Sequence, residues 1–426
     1  MIKVTAKKVY VAMSGGVDSS VAAALLKKKG YEVTGVFFKP WQPDKGLAFC
    51  NWEKDRRDAI AVAEVLGIPF KTWDFSKEYK NKVGVYMIEA YRQGITPNPD
   101  VMCNKEIKFG LFLKKALKEG ADFIATGHYV QLRTASDKRQ ATSQKKIIPA
   151  DNLKPKTYSL FQAKDKNKDQ SYFLWTLTQE QLKYCLFPIG DYTKPEVRKL
   201  AKKFNLSTFD KKDSQGVCFI GQLNMKEFLK KYIKPKPGKI ILQVLQGSPV
   251  NRAALYKVVG MHERAVYYTI GQRHGLNIAN GGGPYYVSGK DLKKNLVFVT
   301  KDEKKLGEKE ITISNLNWIN PQPKVIHTQG STLRSFKVKA RYRTPAVPAK
   351  VIHTQGSTLR RATLRRVIIR TSKPIRAVTP GQSVVFYRGK EVLGGGIISP
   401  QSTLRSIFNK NRRKVFKNWI SLTGSL

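Results

Sequence analysis

The sequence predicts an α/β chain: a doubly wound parallel sheet at the N-terminal end, then a small central domain, then a β-rich C-terminal domain of barrel or sandwich type. Two observations carry this. Up to Thr126, short apolar runs alternate with helical segments that close on glycine. From about Ile240 the chain changes to short β-rich runs broken by turns such as Gly281-Gly282-Gly283-Pro284.

The elements follow in order. Val9–Met13 is an apolar run that stops at Ser14-Gly15-Gly16, and Ser19–Lys29 is helical in composition and ends at Gly30. Val33–Phe38 is a second strand, Glu53–Leu66 a helix closed by Gly67, and Ile68–Trp73 a third strand. Lys105–Lys118 is a helix stopped by Gly120, and Asp122–Thr126 a fourth strand broken at Gly127-His128. Strands this apolar are covered on both faces, as in parallel sheets. Such sheets bind ligands beyond the carboxyl ends of their strands, where Ser14–Ser20 and Gly127-His128 fall. Arg133–Lys156 is polar and reads as a surface connection; helical segments follow at Gln179–Cys185 and Lys194–Phe204. The expected domains are 1–222, 223–305 and 306–400, with a basic tail over 401–426.

Charge narrows the partner. The chain of 426 residues has 78 Lys or Arg against 31 Asp or Glu, a formal net charge of +47. That excess calls for a polyanion, and nucleic acid leads. From Pro321 to Leu426 there are 22 Lys or Arg against the single acid Glu391. With 41% apolar residues the chain has material for real cores, which excludes a disordered basic protein. No apolar run reaches membrane-spanning length, and Met1–Lys8 has no signal-peptide character, so a cytoplasmic protein without membrane contact is expected. Four cysteines without a C-x-x-C pair do not make a disulfide framework, and their spacing does not support a metal site while leaving an iron–sulfur cluster open. Val325–Arg334 recurs unchanged as Val351–Arg360, and Gln401–Ser406 echoes its end. The expectation is a duplicated element carried in loops and the tail, where insertions are tolerated; the alternative is a set of basic RNA-contacting loops.

Two groups of residues carry chemistry. Ser14-Gly15-Gly16-Val17-Asp18-Ser19-Ser20 joins a strand to a helix. Its glycines let backbone N–H groups close on an anion at the positive end of the helix dipole. It is neither a Walker loop nor a dinucleotide-binding fingerprint. The whole string resembles the loop of N-type ATP pyrophosphatases (the PP-loop family), which cleave ATP between the α- and β-phosphates. Asp18 either helps to hold Mg²⁺ or caps the helix. The second group is a pair of cysteines. Cys103 follows Thr96-Pro97-Asn98-Pro99-Asp100-Val101-Met102 at the start of the predicted helix, close to Lys105, where thiolate is favoured. Cys218 sits in Asp213-Ser214-Gln215-Gly216-Val217-Cys218-Phe219-Ile220-Gly221. Either alone reads as a small buried residue. Together with an adenylating loop they suggest sulfur transfer, one carrying a persulfide and the other attacking it. Cys50 and Cys185 read as structural.

Further motifs make the resemblance specific: Ala125-Thr126-Gly127-His128-Tyr129, Lys168-Asp169-Gln170-Ser171-Tyr172-Phe173, Thr269-Ile270-Gly271-Gln272-Arg273, Arg341-Tyr342-Arg343 and Thr379-Pro380-Gly381-Gln382-Ser383. With the loop and both cysteine segments, the sequence resembles the MnmA family of tRNA-specific 2-thiouridylases over most of its length. The resemblance implies a C-terminal β-barrel, ATP and Mg²⁺ as cofactors, and tRNA and a sulfur-donor protein (a cysteine desulfurase or sulfur relay carrier) as partners. It implies ATP binding by Ala12, Met13, Ser14, Gly15, Gly16, Val17, Asp18 and Ser19, with Phe38 and Gly127 on the adenine side. Asn98, Pro99 and Asp100 would meet the flipped-out base. Cys103 would be the nucleophile and Cys218 the persulfide carrier. His128, Lys168, Asp169, Gln170, Arg341, Tyr342 and Gln382 would touch tRNA. Phe38-Lys39-Pro40-Trp41 departs from the family's usual Met-Lys-Asn-Trp. Competing readings are a lysidine-forming ligase, which needs no cysteine pair, a small-molecule synthetase, and a basic RNA-binding protein with a degenerate loop.

Overall fold

The computed structural model describes residues 6–42, 48–49, 52–134, 157–212, 222–246, 253–278, 282–320, 336–355 and 366–400. Cys50, Cys218, the first repeat copy at 325–334 and the tail from 401 lie outside the described residues.

The chain opens with β1 (Lys8–Ala12), α1 (Val17–Lys28), β2 (Glu32–Lys39), the short β3 (Ala48–Phe49), α2 (Trp52–Leu66) and β4 (Phe70–Asp74). A helical stretch unforeseen in the sequence follows: α3 (Ser76–Tyr79), a π-helical turn at Lys80–Gly84, and α4 (Val85–Arg92). Next, α5 (Pro99–Cys103) runs through a π-helical segment, Asn104–Phe112, into α6 (Leu113–Lys118) and β5 (Phe123–Thr126). The hairpin β6 (Val130–Thr134) and β7 (Tyr158–Gln162) precedes α7 (Gln179–Leu182), β8 (Cys185–Leu186) and α8 (Lys194–Lys203).

The first sheet is parallel, in the order β4-β2-β1-β5-β8. The strand pleat divides its two faces. Val9, Val11, Val33 and Phe37 pack with α1, α2 and α8, while Tyr10, Val36 and Phe38 pack with the helices between Tyr79 and Ala116. Helices on both faces make it doubly wound. Strand order reverses between β1 and β5, which puts a topological switch point at their carboxyl ends.

A second sheet, ordered β11-β10-β13-β12, follows β9 (Gln222–Leu223) and α9 (Met225–Tyr232). It is made of β10 (Gly238–Gln246), β11 (Ala253–His262), β12 (Tyr286–Asp291) and β13 (Leu296–Thr300). Last come β14 (Gly307–Trp318), β15 (Phe336–Lys339), β16 (Val347–Gln355), β17 (Arg366–Arg376), β18 (Ser383–Arg388) and β19 (Glu391–Ile398). They run β14-β17-β16-β15-β18-β19, and β19 pairs back to β14. The C-terminal domain is therefore a closed six-stranded barrel rather than a sandwich, which leaves it no free edge around the ring. Its core is aliphatic, around Ile311, Ile313, Val338, Ile369 and Phe386.

Two findings depart from the sequence reading. β7 pairs with β19, so the β6–β7 hairpin of the N-terminal domain extends the barrel sheet. The second repeat copy is not wholly a loop. Its first five residues, Val351–Gln355, are the end of β16 and pair with Arg366–Ile369 of β17. The apolar, β-branched start of the copy suits a strand.

Candidate active site

Between β1 and α1 the chain turns through Met13-Ser14-Gly15-Gly16 at the switch point. Gly15 has φ +72°, and a Cβ there would lie 2.1 Å from the Asp55 carbonyl oxygen of α2. Only glycine fits that turn and that contact. The N-cap of α1 is Gly16, with no side-chain cap, so the first N–H groups of the helix face outward as an anion site. Ser19 closes the base of the loop. Its Oγ accepts from Ser14 N–H at 3.1 Å and donates to the Gly16 carbonyl at 3.1 Å.

Gly127, beyond β5, supplies the other wall. A Cβ there would sit 2.7 Å from Ser19 N and 2.8 Å from the Asp18 carbonyl carbon, so the β5 turn lies directly on the first turn of α1. His128 follows. It is 6% exposed, its Nδ1 is 2.8 Å from Thr126 Oγ1, and its ring packs on Phe109 and Phe187. Burial, with the charge of Lys108, holds its pKa well below the usual imidazole value, so the ring is neutral at physiological pH.

Phe109 belongs to the π-helical segment that follows Cys103, which ties the cysteine helix to the loop. Cys103 is fully buried. The sequence placed it at a helix start; the helix begins earlier, at Pro99, and Cys103 is its fifth residue. Asn98 caps that helix, its Oδ1 accepting from Val101 N–H at 3.2 Å, with Pro99 in the first position. Asp100 lies in the first turn. Phe38 is 4% exposed and packs on Phe75 and Phe112. Cys185 is buried against the Gln181 carbonyl, and burial pushes its thiol pKa far up.

Asp18 was open between a metal ligand and a cap. Both of its oxygens lie 2.8 Å from Lys194 Nζ, and the Tyr129 hydroxyl donates to it at 2.7 Å. A carboxylate so committed is poorly placed to ligate Mg²⁺, and among the described residues no group of three or more His, Cys, Asp or Glu could hold a metal. Lys211, also unforeseen, donates to the Gly15 carbonyl at 2.9 Å and to Asp55 at 2.7 Å, and pairs with Asp58. No sequence signal marks these two among the 78 basic residues; only the fold brings them to the loop.

The remaining predicted residues gather where the three domains meet. Asp169 is 5% exposed and accepts from Ala163 N–H, Ser171 N–H, Ser171 Oγ and Gln162 Nε2. It thus shapes the turn carrying Lys168 and Gln170. Gln170 is bonded to Tyr129 through both its backbone and its side chain. Arg341 donates to the Ile270 carbonyl and Thr379 Oγ1, and the Tyr342 ring lies 4.5 Å from that of Phe173. The Gln382 amide donates to the carbonyls of Thr96 and Pro97 at 3.0 and 2.9 Å. From the central domain, Thr269 meets Thr96, and Lys290 donates to the Gly94 and Tyr268 carbonyls. Both later domains therefore grip the segment leading to Asn98. The expectation that His128 and Asp169 meet tRNA directly falls on side chains that are buried.

Comparison with known proteins follows this architecture. Residues 7–222 match the model of the tRNA methyl transferase HUP domain, 226–301 the tRNA methyl transferase PRC-barrel domain, and 308–398 the aminomethyltransferase beta-barrel domain. A tRNA-specific 2-thiouridylase MnmA from Bacillus cytotoxicus is 41% identical over 394 residues, 92% of this chain and 94% of that protein. One from Bacillus pumilus is 42% identical over 393 residues, with the same coverage. The domain descriptions speak of methyl transfer and the full-length relatives of thiolation. The latter rests on aligned identity across nearly the whole chain.

Proposed function

The chain belongs to the tRNA-specific 2-thiouridylase family, and from that premise we propose how its site thiolates a tRNA uridine at C2. The carrying observation is the uncapped N-terminus of α1, opening at the sheet's switch point against Gly127. ATP binds there with its phosphates on the Ser14–Ser19 loop and its adenine toward Gly127, over a floor that includes Phe38. Asp18 is held by Lys194, so no described carboxylate is assigned to Mg²⁺, which would accompany the nucleotide and offset its phosphate charge. The target uridine leaves its stack and meets Asn98–Asp100. Lys168, Gln170, Arg341 and Tyr342 face the tRNA, while His128, Asp169 and Gln382 shape that surface from behind.

In this reading the uracil C2 oxygen attacks the α-phosphorus of ATP, and pyrophosphate leaves. Loop N–H groups stabilise the developing charge. The terminal sulfur of a persulfide on Cys218 then attacks C2, and the C2–O bond breaks with AMP as leaving group. Cys103 thiolate attacks Cys218 Sγ, breaking the S–S bond. The product is 2-thiouridine, with the two cysteines joined as a disulfide that a cellular dithiol reduces before the next turnover. A sulfur-donor protein reloads Cys218, and a cytoplasmic site of action accords with that chemistry.

The test is incubation with unmodified tRNA, ATP and a persulfide source, followed by nucleoside mass analysis. We expect 2-thiouridine with matching AMP and pyrophosphate, and for Cys218→Ser continued pyrophosphate release without thiolation. A folded chain that forms no 2-thiouridine overturns the reading.

A further inference from the structure

Lys211 stands just ahead of the Asp213–Gly221 segment and far along the chain from Ser14–Ser20, yet it reaches the centre of the phosphate loop. Its ammonium is held by the Gly15 carbonyl at 2.9 Å and by Asp55 and Asp58 on α2. Its own backbone is fixed as well. Arg198 of α8 donates to the carbonyls of Phe209 and Lys211 at 2.7 and 2.9 Å. The side chain is 25% exposed, and although burial opposes the charged form, the bonds to the two carboxylates raise its pKa, so it stays cationic.

We propose that Lys211 is a positioning residue for the phosphate loop: by holding the Gly15 carbonyl toward α2, it aims the Gly16 N–H at the phosphates of ATP. The argument is geometric. Carbonyl and N–H of one trans peptide point in opposite directions. With the Gly15 carbonyl turned to Lys211, the Gly16 N–H faces away from α2, and no hydrogen bond from it is made among the described residues. Glycine on both sides leaves this peptide free to rotate unless something holds it. The Asp55 backbone braces the Cα of Gly15 at the same point. Lys211 also offsets two carboxylates that would otherwise repel an incoming polyphosphate.

The inference rests on the reading that this loop binds ATP, so nucleotide binding is measured directly, apart from turnover. For Lys211→Met we expect ATP affinity to fall about tenfold or more, as for a lost charge-assisted hydrogen bond, while tRNA affinity without ATP is unchanged. Lys211→Arg should recover most of the loss. Combining Lys211→Met with Asp55→Asn and Asp58→Asn removes the uncompensated charge; ATP binding should stay weak, because the carbonyl is still unheld. Asp55→Asn/Asp58→Asn alone, which removes the two carboxylates and leaves Lys211 on the Gly15 carbonyl, should bind ATP unchanged or more tightly. Unaltered ATP affinity in Lys211→Met overturns the proposal. So does full recovery in the triple variant, which would make the lysine a charge screen only. A wild-type chain that binds ATP but thiolates no tRNA would remove the functional reading and leave the inference to these affinities.

Discussion

Lys290 shows what single residues do here that composition conceals. It is a part-buried cation whose ammonium meets two backbone carbonyls, Gly94 and Tyr268, and desolvation pulls its pKa down to about 8. The folded chain therefore releases this proton near pH 8, and the unfolded chain near the ordinary lysine value of 10.5. Between these values the unfolded state binds more protons, so stability contributed by Lys290 rises with pH across that window. Below it both states are charged and the burial cost is fully felt. We expect the stability of the wild type minus that of Lys290→Met to increase by up to about 3 kcal/mol from pH 7.5 to pH 10.5, read by denaturant titration. A flat difference would mean that the lysine is not desolvated. Of the residues in the site, Ser14–Ser19 and Cys103 were legible because their neighbours form a string; Lys194, Lys211 and Lys290 were not, because a lysine's role depends on what the fold sets around its far end.

At the scale of elements, the helix carrying Cys103 was half legible. The sequence marks Lys105–Lys118, while the start signal, Asn98 before Pro99, lies ahead of that range. The π-helical segment Asn104–Phe112 has no signature in the sequence; it exists because packing against His128 and Phe187 and the Gln181 bond to the Phe109 carbonyl hold it. Asn98→Ala removes the cap and should cost about 1 kcal/mol of stability. It should also raise KM for tRNA more than KM for ATP in steady-state thiolation, since in the function proposed above Asn98 meets the target base. Equal changes in both would place Asn98 in a purely structural role. The α3–α4 stretch and the β6–β7 hairpin were missed for a related reason: each is short, and each is stabilised by partners distant in sequence.

For the whole molecule, the net charge of +47 divides by position. Part of it is spent within the fold: Lys194 and Lys211 brace the loop, and Lys290 and Arg341 bind carbonyls between domains. The tail at 401–426 adds six Lys or Arg and no acid. Deleting it should make tRNA affinity fall less steeply with salt, through fewer counterions released, while 2-thiouridine still forms. Loss of thiolation in a folded deletion variant would show the tail to be part of the machinery. Among the described residues no helix is long and apolar enough to cross a membrane.

The sequence by itself determined the alternation of strands and helices, the phosphate loop, the cysteine contexts and a polyanionic partner, because each is written in neighbouring residues. Tertiary structure alone decided that the barrel closes, that half of a repeat becomes strand, that Asp18 faces a lysine, and that two later domains hold the segment before Asn98. Asp18 meets Lys194 across 176 positions and Gln382 meets Thr96 across 286. The barrel closes between strands about 80 apart, and the repeat becomes strand by backbone pairing with β17. Neither spacing nor composition encodes such meetings.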